Sequence, residues 1–154
     1  MDVLFLNKDF LACVKPQGLP SQPDTSGDDD MTSLLKQYLK GRGENEDIFV
    51  LHRLDRATGG VMIYARNQKS AAELSRLIAE KDGFEKHYLT VVSGVPSEKC
   101  GNMTDYLYKD SAQKKSFVVK SERKGAKLAS LDYEVINSAE INTKTFSLVG
   151  IKLN

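Results

Sequence analysis

The chain has 154 residues, of which 40% are hydrophobic and 28% are charged, and its net charge is +1. This balance is typical of a globular protein with its own core and excludes a disordered chain. No apolar run is long enough to cross a membrane, and the first residues lack the layout of a signal peptide. The two cysteines lie far apart in the sequence, which predicts reduced thiols and a cytoplasmic location.

The first half of the chain alternates short strands with helices. Hydrophobic spacing predicts strands at 2–6 and 10–15, a loop at 18–30, a helix at about 32–40 and a second helix at about 69–81. Two short apolar runs, 48–51 and 61–65, lie between the helices. Three adjacent carboxylates, Asp28 to Asp30, precede the first helix. They suit either a divalent metal or a helix cap, and capping is the more common use.

Strands dominate the second half. One is predicted at 84–93, and three or four more follow from Met103 onward, at about 116–120, 128–137 and 143–153. Strands at both ends with helices between them predict an α+β fold, with a mixed, largely antiparallel sheet and two helices. No linker interrupts the chain, so we expect one domain over residues 1–154.

Positive charge is concentrated in one stretch of the second half. Between Lys109 and Lys127 there are seven basic residues and two acidic ones, and Lys114 and Lys115 are among the basic residues. A local excess of this kind suits contact with phosphates. It is equally typical of an ordinary solvated hairpin, so the stretch alone leaves both interpretations open.

The chemically most informative stretch runs from His52 to Gly60 and reads His-Arg-Leu-Asp-Arg-Ala-Thr-Gly-Gly. It follows the apolar run at 48–51, so Asp55 is predicted near a strand end at the edge of a sheet, before a glycine bend. A carboxylate flanked by Arg53 and Arg56 suits chemistry on a nucleic acid. The same residues would also suit surface ion pairs, which are common and contribute little.

Residues 52–60 resemble the motif H-R-L-D-x-x-T-S-G of the RluA-type pseudouridine synthases, with Gly59 in place of the usual serine. The segment 15–20, Lys-Pro-Gln-Gly-Leu-Pro, resembles the opening of that family's catalytic domain. Residues 86–94 are similar to its K-x-Y-x-A-x-V-x-G motif, with Thr90 in place of alanine. Residues 125–133 look like the strand that follows the family's basic hairpin.

The resemblance implies that the protein converts uridine in RNA to pseudouridine. Asp55 would stabilise or trap the sugar once the base leaves, either by attacking the sugar or by removing a ribose proton. Tyr88 would stack on the uracil and accept the C5 proton, and Arg53 would enter the space left by the flipped base. Five further residues are predicted to contact RNA: His52, Arg56, Lys86, Lys114 and Lys115. The reaction changes no oxidation state, so neither a redox cofactor nor a metal is expected.

In the family, the strand that 148–154 resembles leads into T-G-R-x-H-Q-I-R, whose arginine pairs with the catalytic aspartate. The chain is therefore expected to be an N-terminal part of a synthase domain, without a separate N-terminal RNA-binding domain. We expect it to be inactive alone, and to dimerise through its last strand, 143–153, as an exposed edge. The alternatives are a non-catalytic RNA-binding remnant and, far behind, a glycosidase or phosphatase acting on small molecules. Transfer RNA and ribosomal RNA are both open as targets.

Overall fold

The structure, a computed structural model, describes residues 2–80, 83–113 and 115–154. The chain forms two compact units, Met1–Phe84 and Glu85–Asn154. Each unit contains one antiparallel sheet. The two helices belong to the first unit, and the predicted α+β class is confirmed.

The first unit has a four-stranded sheet in the order β1-β2-β4-β3, and all its neighbouring strands run antiparallel. Its strands are β1 (Asp2–Leu6), β2 (Phe10–Lys15), β3 (Phe49–Val50) and β4 (Gly60–Ala65), and its helices are α1 (Met31–Gly41) and α2 (Gln68–Ala79). The first two strands occupy the predicted residues. The turn between them is closed by Asn7, whose Oδ1 accepts hydrogen bonds from the amides of Asp9 and Phe10.

The core of this unit lies between the sheet and α1. Alternate residues of two neighbouring strands point inward: Leu11 and Cys13 from β2, Met62 and Tyr64 from β4. They meet three helical residues spaced four apart, Met31, Leu35 and Leu39. All seven side chains are fully buried. Burial raises the pKa of the Cys13 thiol to about 11, so this cysteine is an unreactive core residue.

Asp30 forms the N-cap of α1. Its Oδ1 accepts hydrogen bonds from the amides of Thr32 (2.8 Å) and Ser33 (3.3 Å), and both hydroxyl groups also donate to its carboxylate. The capping interpretation of the acidic run therefore holds for Asp30. The second helix begins after Asn67, which caps it by accepting from the Ser70 amide. It ends at Ala79, and its predicted end at Lys81 lies outside the described residues.

The second unit has a five-stranded antiparallel sheet in the order β5-β9-β8-β6-β7. Its strands are β5 (Lys86–Ser93), β6 (Cys100–Asp110), β7 (Lys115–Val119), β8 (Ala126–Ile141) and β9 (Lys144–Leu153). Four strands follow β5, as predicted, although β8 is longer than expected and has a bulge between Val135 and Asn137. The prediction that the last strand, 143–153, is an exposed edge is wrong, because β9 lies between β5 and β8 and pairs with both. No helix in the described part of the chain is long and apolar enough to cross a membrane.

Candidate functional site

Asp55 lies in the loop between β3 and β4, residues 51–59, which we call the Asp55 loop. β3 has only two residues and is an edge strand, so the predicted placement at a sheet edge is correct. Asp55 and Arg53 are both exposed. A turn follows at once, closed by a 2.9 Å hydrogen bond from the Thr58 amide to the Asp55 carbonyl.

The residue before Asp55 is anchored through its backbone. The Ser21 hydroxyl donates to the carbonyl of Leu54 (2.6 Å) and accepts from the amide of the same residue (3.1 Å). Ser21 is buried, and its own carbonyl accepts a 3.2 Å hydrogen bond from the Tyr64 hydroxyl. The Leu54 side chain packs against the core. One buried hydroxyl therefore fixes the approach to Asp55.

The residue after Asp55 is anchored by a buried lysine. The Lys15 ammonium donates to the carbonyls of Leu19 (2.6 Å), Pro16 (3.1 Å) and Arg56 (3.3 Å). The Arg56 carbonyl also accepts from the Gly18 amide at 2.7 Å. Lys15 is fully buried, and burial lowers its pKa although the Asp55 carboxylate acts in the opposite direction.

Neither Lys15 nor Ser21 was predicted to be a site residue. A signal for Lys15 was present, because Leu11, Cys13 and Lys15 are alternate residues of one strand and all three are fully buried. Ser21 lies in a loop and gave no comparable signal.

The two anchors act on the backbone on both sides of Asp55 and leave its carboxylate accessible. Within the described residues, no side-chain hydrogen bond or ion pair reaches that carboxylate. The loop therefore presents an exposed carboxylate on a fixed backbone. This arrangement suits a nucleophile or a charge-stabilising group, because the backbone needs no further ordering when a substrate binds.

Arg56, predicted to contact RNA, is held by the acidic loop. Its Nη2 lies 2.6 Å from an Asp28 oxygen and 3.8 Å from an Asp24 oxygen, and it donates to the Ser26 hydroxyl at 2.8 Å. These hydrogen bonds and charges lower the pKa of Asp28 and raise that of Arg56. The surface ion-pair interpretation therefore describes Arg56 and its partner Asp28.

His52 also has an internal contact. Its Nε2 accepts a 3.1 Å hydrogen bond from the Ile63 amide, and its ring centroid lies 5.5 Å from that of Phe84. An accepting Nε2 requires the proton on Nδ1. The half-buried ring thus links the Asp55 loop to β4.

Two glycines end the loop. A Cβ on Gly59 would lie 3.2 Å from the Gln17 side chain and 3.3 Å from the Lys15 carbonyl. Gly59, where the family has serine, therefore lies at a point where two backbone segments approach closely. Gly60 has a φ of +147°, which side chains disfavour. This conformation lets the chain turn from the loop into β4.

The remaining predicted residues belong to the second unit. Tyr88 is half-buried in β5 and pairs with Ile151 of β9, so both side chains share one face of the sheet with Lys86. Lys115 is exposed at the start of β7, and Lys114 lies outside the described residues. The structure thus gathers His52, Arg53, Asp55 and Arg56 in one loop and carries Lys86, Tyr88 and Lys115 on the second sheet.

The described residues, 2–80, 83–113 and 115–154, contain no cluster of three or more His, Cys, Asp or Glu side chains that could hold a metal ion. Of the acidic run before α1, Asp30 caps the helix and Asp28 pairs with Arg56. Cys13 and Cys100 are both free thiols.

A family model described as RNA pseudouridylate synthase matches residues 9–154. Ribosomal large subunit pseudouridine synthase D of Borreliella burgdorferi is 27% identical over 156 residues, covering 97% of this chain and 46% of that protein. The tRNA pseudouridine synthase C of Vibrio parahaemolyticus is 28% identical over 145 residues, covering 94% and 57%. The solved structure of Human RNA Pseudouridylate Synthase Domain Containing 4 superposes with a TM-score of 0.77 at 23% identity, covering 99% of this chain and 58% of that one.

The chain spans about half the length of the curated relatives it matches. The match to the family model nevertheless extends over nearly the whole chain and includes the Asp55 loop, β5 and β9. The resemblance inferred from residues 52–60 and 86–94 is confirmed: this chain belongs to the RNA pseudouridylate synthase family, in its RluA-type branch.

Proposed function

We propose that this protein takes part in the isomerisation of uridine to pseudouridine in RNA, with Asp55 as the catalytic carboxylate. The observation that supports this most directly is the anchoring of the backbone on both sides of Asp55 by Ser21 and Lys15, while the carboxylate stays exposed. A surface aspartate without a function would not need two buried polar side chains to fix its backbone.

The reaction breaks the C1′–N1 bond of the uridine, forms a C1′–C5 bond, releases the C5 proton and adds a proton to N1, so atoms balance without an oxidant or reductant. As N1 leaves, positive charge develops on the sugar. A carboxylate stabilises that charge, either as a covalent nucleophile at C1′ or as a base that removes a ribose proton. Asp55 has the exposure that either role requires.

We further propose roles for the residues around this step. Arg53, exposed beside Asp55, fills the space of the flipped uridine. Tyr88 stacks on the uracil and accepts the C5 proton. Lys86, Lys114 and Lys115 contact phosphates. His52 supports the loop through Ile63, and Arg56 exchanges its partner Asp28 for a phosphate when RNA binds.

The test is tritium release from RNA labelled at C5 of uridine, using the full 154-residue chain and, separately, transfer RNA and ribosomal RNA transcripts. Asp55→Asn should abolish release, a fall of at least about 10³-fold if the carboxylate is the nucleophile. Asp29→Asn, which changes an exposed carboxylate to which no role is assigned, is the matched control and should retain the wild-type rate. Equal rates for wild type and Asp55→Asn, both above the release measured without protein, would refute the role of Asp55.

A second candidate is an RNA-binding protein without turnover, which is the inactivity expected of this chain alone. The observation that favours it is that no described side chain pairs with the Asp55 carboxylate to orient it. RNA binding by the wild type, together with tritium release no faster than that of Asp55→Asn, would support this candidate. We also propose a cytoplasmic location and self-association of the chain through the exposed edge of β5.

A further inference from the structure

One end of the second sheet carries aromatic and basic side chains that the proposed chemistry at Asp55 does not use. There β6, β7 and the first residues of β8 form a three-stranded antiparallel segment. Tyr108 of β6 is paired with Phe117 of β7 and with Ala126 of β8. Directly paired residues of antiparallel strands project to the same side of a sheet, so Tyr108 and Phe117 share one face.

Arg123 lies against that face. The central carbon of its guanidinium is 4.1 Å from the centroid of the Tyr108 ring, a cation–π contact. A turn closed by a 2.9 Å hydrogen bond from the Ala126 amide to the Arg123 carbonyl places the side chain there. Gly125, with a φ of +88°, allows this turn to approach, because a Cβ would lie 3.4 Å from the Tyr108 ring. The contact orders a long side chain before any ligand binds.

The surrounding charge is strongly positive. From residue 106 to residue 128 the described residues include six basic and two acidic side chains, an excess of four. The basic ones are Lys109, Lys115, Lys120, Arg123, Lys124 and Lys127. None of the six forms an ion pair with another residue in the part of the chain that the structure describes. They are therefore available to an anionic partner.

Phe117 is 42% exposed in the middle of this basic region. Aromatic rings and guanidinium planes beside free cations are the combination that binds single-stranded nucleic acid, because bases stack on the planes while the cations meet the phosphates. We infer that Phe117 and Arg123 form a stacking surface for an unpaired nucleotide of RNA, with Tyr108 holding Arg123 in place. The choice of RNA as ligand rests on the proposed function. An acidic protein would use the lysines but would not require a ring at residue 117.

The experiment is fluorescence anisotropy of the full chain with a fluorescein-labelled, uridine-rich single strand of about 12 nucleotides, within the site sizes of such surfaces. Phe117→Leu keeps the apolar bulk and removes the ring, and it should weaken binding about tenfold. Phe117→Trp should restore binding. The dependence of affinity on salt should be unchanged in Phe117→Leu, because no phosphate contact is lost, whereas Lys115→Ala should lower its slope by about 0.7.

Val118→Ala is the matched control, since Val118 is the next residue of β7, is 64% exposed and projects to the opposite face. Its affinity should stay within about twofold of the wild type. A duplex RNA of the same length is a second control, because paired bases cannot stack on the surface and Phe117→Leu should bind it like the wild type.

Equal effects of Phe117→Leu and Val118→Ala, or no effect of Phe117→Leu, would overturn the stacking surface while leaving RNA binding and the role of Asp55 intact. If the wild-type chain binds neither the single strand nor the duplex, both the inference and RNA as the ligand are refuted. If the wild type releases tritium and Phe117→Leu binds RNA as tightly as the wild type, the inference is refuted and the proposed function stands. Melting temperatures of all variants should match, which separates lost binding from lost folding.

Discussion

Two side chains that take no part in the proposed chemistry, Lys15 and Ser21, fix the backbone on either side of Asp55. The motif at 52–60 identified the carboxylate from sequence. It could not identify the residues that hold it, because the three carbonyls that meet the Lys15 ammonium belong to residues 16, 19 and 56. Their approach depends on the paths of two loops, which no local pattern encodes.

Lys15→Met tests the energetic role of this lysine. Methionine keeps most of the apolar stem but removes the three donors, so the carbonyls of Pro16 and Leu19 lose a buried partner. We expect the free energy of unfolding to fall by about 1–3 kcal/mol, the cost of leaving buried polar groups unsatisfied. Urea unfolding followed by circular dichroism measures this change. Lys8→Met, at an exposed position, is the control and should stay within about 0.5 kcal/mol of the wild type; an equal effect of the two variants would contradict the role of Lys15.

At the scale of elements, local patterns predicted what local forces decide. The predicted strands at 2–6 and 10–15 and the predicted helix α1 agree with the structure. Their signals are alternating apolar residues, apolar residues four positions apart and a capping aspartate, and each of these acts within a few residues. The long β8 was predicted only in part, because its final residues are exposed and are held by pairing with β9. Arg66 shows the same limit. Its buried guanidinium bonds to the Asn7 carbonyl, to Glu44 and to the Asn45 carbonyl, three partners distant in sequence.

The cap of α1 predicts a pH dependence. Burial opposes ionisation of Asp30, but hydrogen bonds from Ser33 and Thr32 outweigh burial and hold its pKa below the usual value. A lowered pKa in the folded state means that the ionised cap contributes stability above the unfolded pKa of about 3.9 and loses it as pH falls through the folded value. Asp30→Asn accepts the same amides but does not titrate.

We therefore expect Asp30→Asn to be less stable than the wild type at pH 6, by about 1 kcal/mol, and the difference to shrink as the pH falls from about 5 to 2. Chemical denaturation at several pH values measures it. A difference that stays constant over this range would show that the charge of Asp30 does not contribute. Asp29→Asn, for an adjacent carboxylate that makes no cap, is the control and should show no such trend.

At the scale of the whole molecule, pairing between distant segments decides the second sheet. β5 is the first strand of the second unit in the sequence, and it pairs with β9, the last one. Lys86 is paired with Leu153. The sequence predicted both strands but not their neighbours, since strand order depends on contacts that no short window contains. The order makes β5 an edge strand. Leu89 and Val91 lie on one of its faces and are 70% and 64% exposed.

An exposed apolar edge strand pairs readily with another copy of itself. The net charge of +1 provides little repulsion between copies. We therefore expect a concentration-dependent dimer in sedimentation velocity at about 10–200 µM, the range in which a weak edge-to-edge contact becomes populated. Val91→Lys places a charge in that edge and should keep the chain monomeric at every concentration.

Ile141→Lys supplies the control, because Ile141 is 56% exposed and lies at the hairpin between β8 and β9, away from the β5 edge. It adds the same charge and removes a similar apolar side chain, so it should dimerise like the wild type if the edge is responsible. Loss of the dimer in both variants would instead assign association to net charge or to general apolar exposure. A wild type that sediments as a monomer throughout the range would show that the β5 edge does not pair, whatever its exposed surface.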